Sequence, residues 1–143
     1  WKARHDVYYS VKALGNNMKV YSTDVCVPIS RLVECISWAE NEVKKLDLTA
    51  PMVGHVGDGN FHSIILYDPE DKEKQKLIRE YSDKLIEKAL ELEGTITGEH
   101  GIGLQKKGYL LKEHPDNLPV MKSIKRSLDP NNIMNPGKVF DLN

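Results

Sequence analysis

Hydrophobic and polar positions divide the chain into stretches of helical and strand-like period. "WKARHDVYYSVKAL" (1–14) has helical composition and stops at "GNN", where Gly15 and Asn16 can take positive φ. "MKVYSTDVCVP" (18–28) alternates Val20, Ser22 and Asp24 against Tyr21, Thr23 and Val25, which predicts a strand closed by Pro28. Ser30 then reads as the cap of a helix in which Leu32, Val33, Ile36, Ala39, Val43 and Leu46 recur at helical steps. Two β runs, "PMVGHV" and "NFHSIILY", flank Asp58-Gly59. The best-marked helix follows, with Asp68 as cap, Pro69 at its first position, and Glu70 and Asp71 complementing its dipole. Leu77, Tyr81, Leu85, Ala89 and Leu92 form its inward stripe, and Gly94 ends it. "GTITGEHGIG" (94–103) reads as a short strand entering a glycine-rich loop. Asp116 or Asn117 starts a last helix with Met121, Ile124 and Leu128 inward, and "LDPNNIMNPGKVF" is a loop-like tail.

The order is therefore α-β-α-β-β-α-β-α. Its middle, β-α-β-β-α-β, predicts an α+β fold: a ferredoxin-like antiparallel sheet with helices packed on one face. The length of 143 residues suits a single domain, 1–143, with a real core. The chain opens on Trp1 inside a helix, which reads as a fragment with any upstream signals out of view.

Composition narrows the function classes. With 20 basic and 21 acidic residues there is no basic excess, so no nucleic-acid partner is expected. No apolar run reaches the ~18 residues of a membrane span. Cys26 and Cys35 form no CxxC pair and are too few for a disulfide scaffold; as reduced, packed thiols they fit an intracellular compartment.

The candidate chemistry begins at "HVGDGNFH". Asp-Gly between β runs predicts a two-residue type I′ hairpin. In that register Gly57 pairs with Asn60, Val56 with Phe61, and His55 with His62. Directly opposed residues share a face with Cβ atoms about 4.5–5.5 Å apart, close enough for two imidazoles to share a metal ion. A one-residue slip would put them on opposite faces. The alternative is that both histidines cover a half-exposed sheet, and a metal site commonly needs a third protein ligand. Asp58 reads as a turn residue, and His5 and His114 as surface residues.

A third ligand is available in "GEHGIG". Adjacent side chains in an extended segment point opposite ways, so Glu99 and His100 take different jobs. Glu99 suits the metal, and His100 suits a general base, because its unperturbed pKa lies near neutrality. The plainer alternative is a turn with an exposed acid and histidine. No HExxH, GxGxxG, GxxxxGK[ST] or GxSxG motif is present.

"HVGDGNFH", then "GEHGIG", then "LDPNNIMNPGKVF", with "WKAR" and "YSTDVCVPIS" before them, resemble the C-terminal part of FAD-linked D-2-hydroxyacid dehydrogenases. Within that family "YSTDVCVPIS" and "GDGNFH" are most similar to the cytochrome-linked D-lactate branch, with the glycolate oxidase large subunit and the D-2-hydroxyglutarate branch also similar. The resemblance implies that an N-terminal domain of the same protein binds FAD and that this part caps the flavin and helps form the substrate pocket. It implies a divalent metal, Zn or Mn, on His55, His62 and Glu99. His100 is then the base, and Arg4 of the W-x-x-R pattern pairs with the substrate carboxylate. The tail 129–143, around Asn135, returns to the FAD domain as the cofactor-binding contact. A small 2-hydroxy acid is the implied substrate, a cytochrome or quinone the electron acceptor, and a homodimer stays open. The implied location is cytoplasmic or membrane-associated in a bacterium and mitochondrial in a eukaryote.

One departure bears on substrate. Hydroxyglutarate-type members carry a lysine where this chain has Ser22 and an asparagine where it has Ile64. The groups that grip a second carboxylate are missing, which favours a monocarboxylate such as D-lactate. Two rivals from other classes are a metal-dependent hydrolase using His100 as base toward water, and a non-catalytic ferredoxin-like ligand-binding module.

Overall fold

The computed structural model describes residues 2–15 and 17–142, with side chains from Asp6 onward. Its contacts fall into two compact units, 1–98 and 99–143.

The first unit opens with α1 (Lys2–Lys12), after which Asn17 takes a left-handed φ of 65° and Gly15 does not, while Asn16 lies outside the described residues. The strand expected over 18–28 forms as β1 (Lys19–Ser22) and β2 (Val25–Cys26). Both pair antiparallel with β4 (Asn60–Tyr67) in one continuous register, from Lys19 opposite Tyr67 to Cys26 opposite Asn60. On its other side β4 pairs with β3 (Met52–His55), and Cys26 forms a bridge to Thr95. The fourth strand of the expected pattern is thus reduced to that bridge. The strand neighbours remain those of a β-α-β-β-α-β sandwich, and the α+β expectation holds.

Helix α2 (Ile29–Lys45) starts after Pro28 with no side-chain cap, so Ser30 lies inside its first turn. Its inward stripe is Leu32, Cys35, Ala39 and Glu42; Val33 faces outward, 77% exposed. Helix α3 (Lys72–Glu91) starts later than expected. Asp71 caps it by accepting from Lys74 N at 2.8 Å, while Asp68 accepts from Glu70 N in the preceding turn. Tyr81, Leu85, Ala89 and Leu92 are buried as expected, with Ile78 and Ile86 beside them, and Tyr81 meets Ser63 of β4 at 2.6 Å.

Alternation along β4 assigns its two faces. Ser63 meets Tyr81 of α3 on one of them. On the other, Ile64 and Leu66 pack with Val11 and with Val7, Met18, Val20 and Val53, so α1 covers that end. The β-α-β-β-α-β core therefore carries one helix beyond its own pair. Farther along, the same face of β4 turns polar, at His62 and Asn60.

The second unit holds α4 (Lys107–Glu113), which the sequence pattern did not predict, α5 (Leu118–Leu128) and the tail. α5 buries none of its residues: Ile124 and Leu128, expected inward, are exposed together with Val120. Asp129 anchors the tail, taking Ile133 N on Oδ1 at 3.0 Å and Met134 N on Oδ2 at 2.9 Å, with Lys125 Nζ on the same carboxylate. Among the described residues no helix is long and apolar enough to cross a membrane.

Candidate functional site

The hairpin carrying the two histidines is not the two-residue turn its Asp-Gly dipeptide predicts. A 3₁₀ turn at Val56–Asp58 leads into Gly59, whose φ of 77° is left-handed. A wider loop follows, in which Gly59 N bonds Val56 O. Docking explains the choice: Val27 N donates to Gly59 O at 3.0 Å and Cys26 Sγ to Asp58 O at 3.2 Å, which binds the loop to β2. A Cβ on Gly59 would lie 1.9 Å from Val27 O, so this position needs glycine for space as well as for φ. Burial, with the Asp24 and Asp58 carboxylates nearby, pushes the Cys26 thiol pKa up.

The wider loop moves the register by two residues. His55 stands opposite Asn60, and His62 opposite Val53. An even shift preserves the face, so His55 and His62 stay on one side of the sheet as diagonal neighbours. Such pairs have backbones about 7–8 Å apart, farther than the direct opposition expected from sequence.

His62 is 5% exposed and held on its Nδ1 edge. Nδ1 lies 2.9 Å from the carbonyl oxygen of Thr23 and 3.6 Å from Asp24 Oδ1. A carbonyl can only accept, so in this contact Nδ1 is the donor. This contact explains why the β1–β2 strand is interrupted. Ser63 N donates to Thr23 Oγ1 at 2.8 Å, so the hydroxyl stands in for the carbonyl that the ring has taken.

Asp24, opposite His62 in the continuous register, is a buried carboxylate engaged on both oxygens. Oδ1 accepts from Asn60 Nδ2 at 2.9 Å. Oδ2 accepts from Thr97 Oγ1 at 2.5 Å and Gly98 N at 2.9 Å. Asn60 Nδ2 also donates to Val25 O, and Asn60 Oδ1 is buried with no hydrogen-bond partner among the described residues. Gly98 packs against this group so closely that a Cβ would lie 2.0 Å from Asn60 Nδ2.

The remaining residues singled out from sequence are placed as follows. Glu99 and His100 open the second unit and are exposed. Asn135 is exposed in the tail with a left-handed φ of 47°. Arg4 lies on α1, with its side chain, like those of Trp1 and His5, outside the described residues. His114 is partly exposed beside Glu113, 3.5 Å away.

Residues 1–139 match the family described as FAD linked oxidases, C-terminal domain. The chain belongs to this family. It is 50% identical to the "Probable D-lactate dehydrogenase, mitochondrial" of Danio rerio, over 99% of this chain and 29% of the relative. It is 41% identical to the "D-lactate dehydrogenase [cytochrome], mitochondrial" of Arabidopsis thaliana, over 98% of the chain and 25% of the relative. With the "Glycolate oxidase subunit GlcD" of Bacillus subtilis it shares 38% identity over 82% of the chain. The chain thus spans under a third of the length of these relatives.

Within this C-terminal domain of an FAD-linked oxidase, sequence reasoning missed Thr23, Asp24, Asn60 and Gly98 as parts of one polar cluster. A signal for Asp24 existed: a carboxylate stands at an inward-alternating position between Thr23 and Val25, in a strand too β-branched to be loop.

Proposed function

We propose that this chain is the metal-bearing substrate domain of an FAD-dependent D-2-hydroxyacid dehydrogenase that oxidises D-lactate or a similar small 2-hydroxy acid to the 2-oxo acid. The observation that carries the reading is the fixed imidazole of His62, bonded at Nδ1 to a backbone carbonyl beside a buried carboxylate, in a chain similar to D-lactate dehydrogenases. Metal-binding histidines have this outer contact almost without exception. Asn60 Oδ1, without a hydrogen-bond partner among the described residues, adds a buried oxygen acceptor of the kind a divalent ion or its bound water takes.

His55 and His62 are the proposed nitrogen ligands, and the motif assigns Glu99 the third place. A divalent ion, Zn or Mn, would lower the pKa of a coordinated substrate hydroxyl, and FAD, held by an N-terminal domain, supplies the acceptor for the C2 hydride. The chain's own residues do the rest. His100 takes the hydroxyl proton, Arg4 holds the carboxylate, and together they orient C2. Asn135 and the tail 129–143 face the FAD domain in this reading. Ser22 and Ile64, the positions that differ from hydroxyglutarate-type members, are direct cross-strand partners, which supports reading them as one missing second-carboxylate grip. The relatives' names favour a mitochondrial location if the source is eukaryotic, and the Arabidopsis relative's name favours a cytochrome as electron acceptor, with a quinone as the alternative.

The test is anaerobic flavin reduction by D-lactate in the full-length protein that carries this chain, with metal measured by elemental analysis. Stoichiometric metal and flavin bleaching are expected. His100→Gln should slow bleaching by about 10²-fold or more with metal retained. Loss of metal in that variant would overturn the division of roles, and a flavin untouched by small 2-hydroxy acids would overturn the function.

A further inference from the structure

We propose that Asp24 is a positioning residue for His62: it holds the Thr23 carbonyl and the Nδ1 edge of the ring so that Nε2 is the ligand atom. The inference rests on the metal-bearing reading above.

Thr23 O would ordinarily take the amide of Ser63 in the strand ladder. That amide goes to Thr23 Oγ1 instead, and the carbonyl turns to His62 Nδ1, 2.9 Å away. The next residue, Asp24, is clamped by donors from three directions: Asn60 Nδ2 on one oxygen, Thr97 Oγ1 and Gly98 N on the other. With 2% of its surface exposed, the carboxylate is poorly screened, and its Oδ1 lies 3.6 Å from the ring nitrogen that carries the proton. Negative charge at that edge favours the Nδ1–H tautomer over the Nε2–H form and makes Nε2 a stronger donor to a metal. The same carboxylate joins the His62 strand to the Thr97–Gly98 segment, immediately before Glu99 in the chain. One buried acid therefore fixes a ligand's tautomer and anchors the backbone that precedes the next ligand. Because donors occupy both oxygens, the amide of Asp24→Asn would meet a donor in either orientation.

The first readout needs no variant. In metal-free full-length protein labelled with ¹⁵N-histidine, with His62→Gln to assign the signal, His62 should show the Nδ1–H tautomer. An Nε2–H tautomer overturns the proposal. Second, Asp24→Asn should weaken Zn²⁺ binding by about 10–100-fold in chelator competition, with the melting transition retained. Binding equal to the native protein overturns it. If Asp24→Asn does not fold, Thr97→Val is read: it keeps the charge but removes one clamp, and should weaken Zn²⁺ several-fold, whereas native affinity overturns the proposal. A native protein that binds no Zn²⁺ or Mn²⁺ defeats the metal reading instead, and the tautomer alone then decides the role of Asp24.

Discussion

Asn60, not His62, stands opposite His55 across the hairpin. The asparagine is therefore the hub of the polar end of the sheet. Its Nδ2 joins Asp24 to the Val25 carbonyl, and its side chain lies under Gly98. Both contacts from Nδ2 go to acceptors, so this position demands a donor.

Asn60→Asp tests that demand. The change is nearly isosteric, yet it sets a second carboxylate against Asp24 and a carbonyl. A loss of about 3 kcal/mol or more in urea unfolding is expected, because two buried acceptors lose their donor and like charges meet. Stability within about 0.5 kcal/mol of native would show that the amide is not oriented this way.

Gly98→Ala tests the close approach. The added methyl would sit 2.0 Å from Asn60 Nδ2 and 2.8 Å from its Cγ, and neither can retreat without breaking a bond to Asp24 or Val25. A loss of about 1–3 kcal/mol is expected from overpacking, together with weaker metal binding. Gly57, where a Cβ would meet nothing within 4 Å, is the control, and its alanine variant should leave metal binding unchanged.

How much of this was legible in the sequence follows from range. The 3.6-residue stripe of α3 and the alternation of β1 are local, and the stripe alone gives the buried Tyr81, Leu85, Ala89 and Leu92. Helix starts erred by a few residues, because Asp68 and Asp71 compete as caps and both make cap-like bonds. The hairpin register failed for a non-local reason: Val27 and Cys26 hold the Asp58–Gly59 loop open, overriding the turn that the dipeptide alone prefers. Residue parity still survived, so the shared face of His55 and His62 was legible when their pairing was not. The Asp24–Asn60–Gly98 cluster joins three separate segments, and no periodicity within any one of them announces it. The apolar stripe of α5 is legible in the sequence, but its burial is not; period shows that a face exists and says nothing of what covers it.

Alkaline conditions should destabilise the first unit. Burial pushes the Tyr81 phenol up to about 12, with Ser63 hydrogen bonding pulling less strongly the other way, and pushes the Cys35 thiol up to about 11. Both groups keep their protons in the folded chain at pH values where the unfolded chain has lost them. Stability is therefore intact below the ordinary thiol and phenol values and falls as pH rises through the window up to about 12, by roughly 2–3 kcal/mol for Tyr81. Urea midpoints measured from pH 8 upward give the slope. Tyr81→Phe should flatten it while costing about 1–3 kcal/mol at neutral pH, because the Ser63 hydroxyl loses its partner. An unchanged slope would place the alkaline sensitivity elsewhere.

Acid should loosen the tail of the second unit. Asp129 accepts from Ile133 N, Met134 N and Lys125, and the Lys125 hydrogen bond is the main reason its carboxyl is held below the ordinary aspartate value. A depressed pKa stabilises the folded form above the ordinary value, and this support is lost as pH falls through the depressed one. Lys125 Nζ also reaches Met134 O at 2.5 Å, so protonating Asp129 weakens a bridge that closes the 129–134 loop from both sides. Hydrogen exchange at the Ile133 and Met134 amides should accelerate at acid pH, after correction for the intrinsic rate, while amides of α3 keep their protection. Asp129→Ala should give the same local loss at neutral pH. Protection at Ile133 and Met134 that survives the alanine variant would mean that some other contact, not this carboxylate, holds the tail.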